Sequence, residues 1–73
     1  MLPQQDASRI LRLPDVKART GLSRASIYAF IKNGHFPSSI SLGARSVGWL
    51  ESEIDLWIAG RIALRRPTTI LQP

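Results

Sequence analysis

The sequence lacks cysteine altogether and contains a single histidine, His35. The absence of cysteine excludes disulfides, thiolate metal sites and thiol nucleophiles. One histidine leaves little scope for a metal cluster or a catalytic triad, and no serine is paired with a base in a recognisable arrangement. A chain of 73 residues also has little room for a catalytic pocket. These absences predict a protein that is not an enzyme and uses no cofactor.

Long apolar runs are missing as well. No stretch approaches the roughly 20 apolar residues that cross a bilayer, and residues 1–8 contain proline, glutamine and aspartate where a secretion signal needs an apolar run. We therefore expect a soluble, cytoplasmic protein with no membrane partner. The hydrophobic content of 44% is that of a folded chain, and the length allows one core. We predict a disordered leader at 1–8, one domain at 9–66 and a flexible tail at 67–73.

Acidic residues are scarce, and their distribution is uneven. The chain has five acidic residues against ten lysines and arginines, which gives a net charge of +5. No acid occurs between residues 16 and 50, whereas Glu51, Glu53 and Asp55 lie together just beyond. A basic half beside a mixed half is typical of nucleic-acid binders, although many small proteins carry a basic surface with no specific partner.

Residues 16–34 have the pattern of two short helices joined by a tight turn. Gly21 can adopt the positive φ that ends a helix, and Ser23 can cap the next one. Ile27, Phe30 and Ile31 then recur at helical spacing. This order predicts a helix-turn-helix unit.

The outward face of the second predicted helix carries no acid, which suits the acceptor-rich major groove of DNA and its flanking phosphates. Its members are Arg24, Ala25, Ser26, Tyr28, Ala29 and Lys32.

The flanking segments predict the rest of the fold. Residues 9–13 suggest a short extended segment, 14–20 the first helix, and 38–42 with 47–50 a small hairpin around a turn. Together with a helix at 51–66, they predict a mainly α winged helix-turn-helix of three helices and a two-stranded β-ribbon wing, monomeric when free. We expect Trp49 in its core.

The helix at 51–66 is the longest helical signal. Ile54, Trp57 and Ile62 recur on one face together with Ile58, which predicts that this face belongs to the core. Ser52-x-x-Asp55 has the form of a capping box.

Eight short motifs in order resemble the AlpA-type prophage regulators, a winged-helix family similar to the MerR N-terminal domain and to phage excisionases, and the resemblance runs over roughly residues 9–60. The motifs are Leu13-x-x-Val16, Thr20-Gly21-Leu22-Ser23-Arg24, Ser26-Ile27-Tyr28, Ile31-Lys32-Asn33-Gly34, Phe36-Pro37, Leu42-Gly43-x-Arg45, Val47-Gly48-Trp49 and Glu51-Ser52-Glu53-Ile54.

The resemblance implies a sequence-preferring binder of double-stranded DNA that regulates transcription of a mobile element, or acts as its excisionase. It places the recognition helix at 23–34, in the major groove, and the wing at 42–49, on the backbone or in the minor groove. Neighbouring copies of the chain on DNA are expected partners, because one small module buries too little surface for firm specificity. An integrase and RNA polymerase are further candidate partners.

The residues differ in the DNA contact that we expect of them. Arg24, at the start of the recognition helix, can pair with guanine or grip a phosphate. Ser26 can reach base or backbone, and Tyr28 either contacts a phosphate or is half-buried. Lys32 suits the backbone, and Arg45 suits the backbone or minor groove, although composition alone favours an ordinary turn arginine. The remaining candidates for DNA contact are Ser23, Ala25, Ala29, Lys17 and Arg19.

Two other interpretations compete with duplex DNA binding. In the first, the chain is a protein–protein adaptor that docks through the helix at 51–66, and its basic surface is incidental. In the second, it binds RNA, which the absence of an aromatic stacking platform disfavours. His35 has no second ligand at helical spacing and is expected at the surface or in a helix cap.

Overall fold

A computed structural model of the chain describes residues 9–65. The predicted leader at 1–8, the predicted tail at 67–73 and Arg66 lie outside the described residues. In residues 9–65, no helix is long and apolar enough to span a bilayer. The elements in chain order are β1 (Ile10–Leu11), α1 (Leu13–Thr20), α2 (Arg24–Lys32), β2 (Ile40–Gly43), β3 (Ser46–Leu50) and α3 (Glu51–Ala63).

The turn between α1 and α2 has the geometry that its sequence predicts. Gly21 adopts a φ of 75°, and its N–H donates to the carbonyl of Lys17 at 2.7 Å. The hydroxyl of Ser23 accepts a hydrogen bond from the N–H of Ser26 at 3.1 Å, which caps α2. A left-handed glycine that ends one helix and a serine that starts the next fix the angle between them. The predicted helix-turn-helix is confirmed.

The wing belongs to a three-stranded antiparallel sheet of order β1-β3-β2. β2 and β3 form the predicted hairpin, with Ser41 opposite Val47. The segment predicted only as extended is β1, which adds a third strand to the predicted ribbon by pairing Ile10 with Leu50 and Leu11 with Trp49. A two-stranded ribbon is marginal in water, so the extra strand anchors the wing to the body of the domain.

Every element of the fold except β2 contributes at least one side chain to a single core. The buried residues are Leu11, Val16, Ile27, Phe36, Trp49 and Ile54, of which Phe36 lies in the α2–β2 connection. Trp49 is fully buried and donates its Nε1–H to the carbonyl of Pro37 at 3.0 Å. The expected core positions of Trp49 and Ile54 are confirmed, and Trp57 packs edge-on against Phe36 with ring centroids 4.8 Å apart.

Three predictions about α3 are wrong. Ile62 is 54% exposed although it continues the spacing of the core face, because the buried part of the helix ends before its last turn. The expected capping box is absent, since α3 begins at Glu51 with Leu50 at its N-cap, which places Ser52 inside the first turn rather than before it. Asp55 is ion-paired with Arg19 of α1 instead. The helix ends at Ala63 rather than at residue 66.

Candidate nucleic-acid interface

Four of the six side chains that the sequence assigned to the outward face of α2 are exposed, and Ser26 and Tyr28 are half-buried. Arg24, Ala25, Ala29 and Lys32 are exposed, whereas Ile27 on the opposite side is fully buried. α2 has no acidic residue in its first turn, and Lys32 lies in its last turn. This face is therefore basic at both ends, with two alanines between them that allow close approach of a flat surface.

Ser23 and Ser26 are already engaged with each other. The Ser23 hydroxyl accepts from the Ser26 N–H and lies 3.1 Å from the Ser26 hydroxyl, to which it donates. Ser23 is exposed and Ser26 is half-buried. Both serines cap the start of α2. A ligand that binds either hydroxyl would have to do so in addition to these capping hydrogen bonds.

Tyr28 couples the outward face of α2 to the core. Its half-buried ring meets Trp49 edge-on, with ring centroids 6.3 Å apart. The guanidinium of Arg24 lies over the same ring, 5.2 Å from its centroid. A cation held over an aromatic face is stabilised by the ring quadrupole and loses rotational freedom. Arg24 is thus placed by a column of packed rings that begins in the core.

Three arginines surround one cleft where α1, α2 and the wing meet. The cleft has a volume of about 360 Å³ and contains no acidic residue among its lining side chains. Arg12 immediately precedes α1, Arg24 begins α2 and Arg45 lies in the wing turn. The lining residues are Arg12, Leu13, Pro14, Arg24, Tyr28, Arg45 and Val47. Three guanidiniums with ten or more N–H donors between them suit a polyanion such as a nucleic-acid backbone.

Arg12 is the member of this group that the sequence did not reveal. It occupies the position before α1 in extended conformation, and its Nε–H donates to the carbonyl of Val47 in β3 at 3.0 Å. The bond ties the wing to the helix-turn-helix. The signal available in the sequence was weak, because Arg12 stands in the short segment between β1 and α1, where periodicity carries no information.

The wing turn holds Arg45 in an uncommon backbone conformation. Its φ is 61°, and it is the one non-glycine residue with positive φ in residues 9–65. Positive φ costs a non-glycine residue about 1–2 kcal/mol, and glycine or asparagine is the usual choice at such a turn position. A strained residue of this kind marks a candidate functional position.

The two candidates on α1 lie in different surroundings. Lys17 is exposed. Arg19 donates to the carboxylate of Glu51 at 3.1 Å and is also ion-paired with Asp55. Glu51 additionally pairs with Arg9 at 3.3 Å. Arg19 therefore neutralises the acidic start of α3, and a phosphate would have to compete with two carboxylates for it.

Comparisons with known proteins fit this architecture. The family model described as "Prophage CP4-57 regulatory protein (AlpA)" matches residues 9–62. The "Uncharacterized protein ORF88" of Enterobacteria phage P4 is 49% identical over 65 residues, which cover 89% of this chain and 74% of that protein.

A second relative has a name that states its function. The "DNA-binding transcriptional activator AlpA" of Escherichia coli (strain K12) is 44% identical over 66 residues, which cover 82% of this chain and 94% of that protein. The family model spans all six secondary-structure elements except the last residue of α3. The chain belongs to the AlpA family of prophage regulatory proteins.

Proposed function

We propose that the chain binds double-stranded DNA in the bacterial cytoplasm and regulates transcription from a prophage or related mobile element. The observation that carries the proposal is the acid-free cleft of Arg12, Arg24 and Arg45 beside the exposed face of α2. The E. coli relative, which is named as a DNA-binding transcriptional activator, supports it. In this arrangement α2 enters the major groove and the wing follows the adjacent backbone or minor groove.

The three arginines have different tasks in this proposal. Arg24 lies at the N-terminal end of α2, where a groove-facing helix meets base edges, and its fork can pair with the O6 and N7 acceptors of guanine. Arg45 extends from the wing turn toward a phosphate or into the minor groove. Arg12 donates its Nε–H to the carbonyl of Val47, which fixes the wing. Its two terminal nitrogens then contact the DNA backbone. Lys32 and Lys17 add phosphate contacts at the margins.

A salt titration tests the proposal. Each phosphate neutralised on B-DNA contributes a slope of about −0.9 to log affinity against log salt, so Arg12 and Arg45, the two cleft arginines assigned to the DNA backbone, predict a slope of about −1.8. Phosphate contacts by Lys17 and Lys32 would make the slope steeper. Binding is measured by fluorescence anisotropy with a labelled duplex. If the folded protein retains no duplex even at low salt, the proposal fails and the adaptor interpretation, in which α3 docks on a partner protein, takes its place.

Whether the protein controls transcription or excision depends on where it binds in the DNA of the mobile element. Footprinting on the element's own regulatory DNA separates two possibilities: protection over a promoter supports transcriptional control, and protection at the recombination ends supports an excisionase. Several copies at phased sites are part of the proposal, because a module of this size buries only about 600–1,000 Å² of protein surface.

The wing turn gives a prediction in which affinity and stability move in opposite directions. We expect Arg45→Gly to lower affinity equally for preferred and random duplexes and to make the salt slope shallower by about one unit, because one phosphate contact is lost. The same change removes the positive-φ strain and raises the free energy of unfolding by up to about 1 kcal/mol, once the higher chain entropy of glycine is subtracted.

The matched control is Arg45→Ala, which loses the charge and keeps the strain. It should weaken binding as much as Arg45→Gly does, without the gain in stability on urea denaturation. An unchanged salt slope in both variants would show that the wing turn does not contact DNA.

A further inference from the structure

Arg24 is held beside an aromatic ring rather than beside an acid. Its guanidinium carbon lies 5.2 Å from the centroid of the Tyr28 ring, and Tyr28 follows one turn later on the same side of α2. The ion pairs within residues 9–65 involve Arg9 and Arg19 but not Arg24. The surroundings of Arg24 therefore differ in kind from those of Arg19 on α1.

The kind of partner determines what an arginine can still bind. The carboxylates of Glu51 and Asp55 accept N–H groups from Arg19 and offset its charge, so a phosphate has to displace them. An aromatic face attracts the cation through its quadrupole and leaves the charge in place. The arginine side-chain hydrogen bonds within residues 9–65 come from Arg9, Arg12 and Arg19. Arg24 thus keeps its N–H donors for a base edge.

The Tyr28 ring can support Arg24 because the ring is itself fixed. It is half-buried and meets the fully buried indole of Trp49 edge-on, with 61° between the ring planes. The indole is fixed in turn by the hydrogen bond from its Nε1–H to the carbonyl of Pro37. A long exposed side chain loses rotamer entropy when it binds, and a support anchored in the core lowers that loss.

The charges in the cleft make such a support necessary. Arg12 and Arg45 line the same cleft as Arg24, and the lining residues include no acid. Like charges repel one another, so the other two guanidiniums favour a position of Arg24 outside the cleft. The Tyr28 ring supplies an attraction that acts against this repulsion.

We propose that Tyr28 is a positioning residue for sequence preference, because its ring holds the Arg24 guanidinium in the orientation that a base edge requires; this rests on the proposed DNA binding. The ring has this role, and the hydroxyl is dispensable for recognition. The alternative is a direct contact between the Tyr28 hydroxyl and a phosphate, which would strengthen binding to every duplex alike. The two assignments differ in the part of the side chain that matters.

Tyr28→Leu and Tyr28→Phe form a matched pair that separates the two assignments. Leucine keeps an apolar side chain against Trp49 without the ring, whereas phenylalanine loses only the hydroxyl. The probes are a duplex selected by the protein from a random pool and a random duplex, under conditions in which urea denaturation shows each variant to be folded. We expect Tyr28→Leu to bind the selected duplex about two- to fivefold more weakly, as for an exposed cation–π contact, and the random duplex with a smaller loss. Tyr28→Phe should bind both like the wild type.

The same measurements in an Arg24→Ala background show whether Tyr28 acts through Arg24. If it does, Tyr28→Leu causes no further loss on the selected duplex once Arg24 is gone, and the double variant binds like Arg24→Ala. A ring that only stabilises α2 would give the same loss in both backgrounds. Equal losses in the two backgrounds, or weakened binding by Tyr28→Phe, would overturn the positioning role.

A measurement without DNA keeps this role separable from the proposed function. In ¹⁵N-labelled protein, the ring current of Tyr28 should shift the Nε–Hε resonance of Arg24, and the shift should persist in Tyr28→Phe and vanish in Tyr28→Leu. Arg61, whose guanidinium carbon lies 5.7 Å from the centroid of Trp57, is the internal control and should not change in either variant. An Arg24 resonance that Tyr28→Leu leaves unchanged would overturn the positioning role. A wild type that shows the shift but retains no duplex at low salt would overturn DNA binding instead.

Discussion

Replacing Trp49 by alanine is expected to lower the free energy of unfolding by about 3–5 kcal/mol, which is most of what the core of so small a domain supplies. The indole is fully buried and belongs to the central strand of the sheet. Its removal leaves a cavity under β1 and α2 and leaves the carbonyl of Pro37 without its donor. Urea denaturation followed by circular dichroism measures the loss, and the remaining Trp57 provides a fluorescence signal.

Two further variants serve as comparisons for Trp49→Ala. Trp49→Phe keeps much of the volume but not the hydrogen bond to Pro37, so its loss should fall between the wild type and the alanine variant. Leu56→Ala removes a side chain that is 72% exposed and should change stability by less than about 0.5 kcal/mol. Equal losses in Trp49→Ala and Leu56→Ala would contradict the placement of the core.

The second large effect concerns DNA. Arg24→Ala should weaken binding to the preferred duplex by about 1–3 kcal/mol, up to roughly a hundredfold, and weaken binding to random duplex less, because a base contact is lost only at the preferred site. The free energy of unfolding should hardly change, since Arg24 is exposed and lies over the half-buried ring of Tyr28. Competition binding with preferred and random duplexes measures both losses.

Arg24→Lys is the matched variant for this test. Lysine retains the charge but not the planar fork, so it should recover binding to random DNA and leave the preferred site weakened. If Arg24→Ala costs the same on both duplexes, Arg24 is a phosphate contact and the choice of sequence lies elsewhere on α2.

The helix-turn-helix was predictable because its signals are local. Gly21 and Ser23 act on backbone groups within four residues, so the sequence around them suffices. β1 was not predictable as a strand, since two residues cannot display periodicity and Ile10–Leu11 forms a strand only by pairing with Trp49–Leu50. Ile62 shows the opposite error, because it was predicted to be buried and is exposed. Its spacing is that of the core face, but spacing does not show where along a helix the contacts with the rest of the domain end.

The candidate site likewise has features that follow from local sequence and features that depend on tertiary contacts. The outward face of α2 follows from helical geometry once Ile27 is assigned to the core, and Arg24 and Lys32 are exposed as predicted. The meeting of Arg12 with Arg24 and Arg45 depends on how the wing closes against α1, which no local pattern encodes. The engagement of Arg19 with Glu51 and Asp55 likewise joins residues more than thirty positions apart. That any of these residues contacts DNA is still a prediction.

The pairing of β1 with β3 also determines when this protein can fold. Ile10 meets Leu50, and the N–H of Glu51 donates to the carbonyl of Arg9 at 2.7 Å, so the sheet joins residues about forty positions apart. The chain between the two strands must form a closed loop, which costs conformational entropy before the strand contacts stabilise it. Contacts between residues so far apart in sequence therefore slow folding. During synthesis α1 and α2 therefore emerge well before the strand that holds them together. The helix-turn-helix has to wait for Trp49 to be made before it acquires a core.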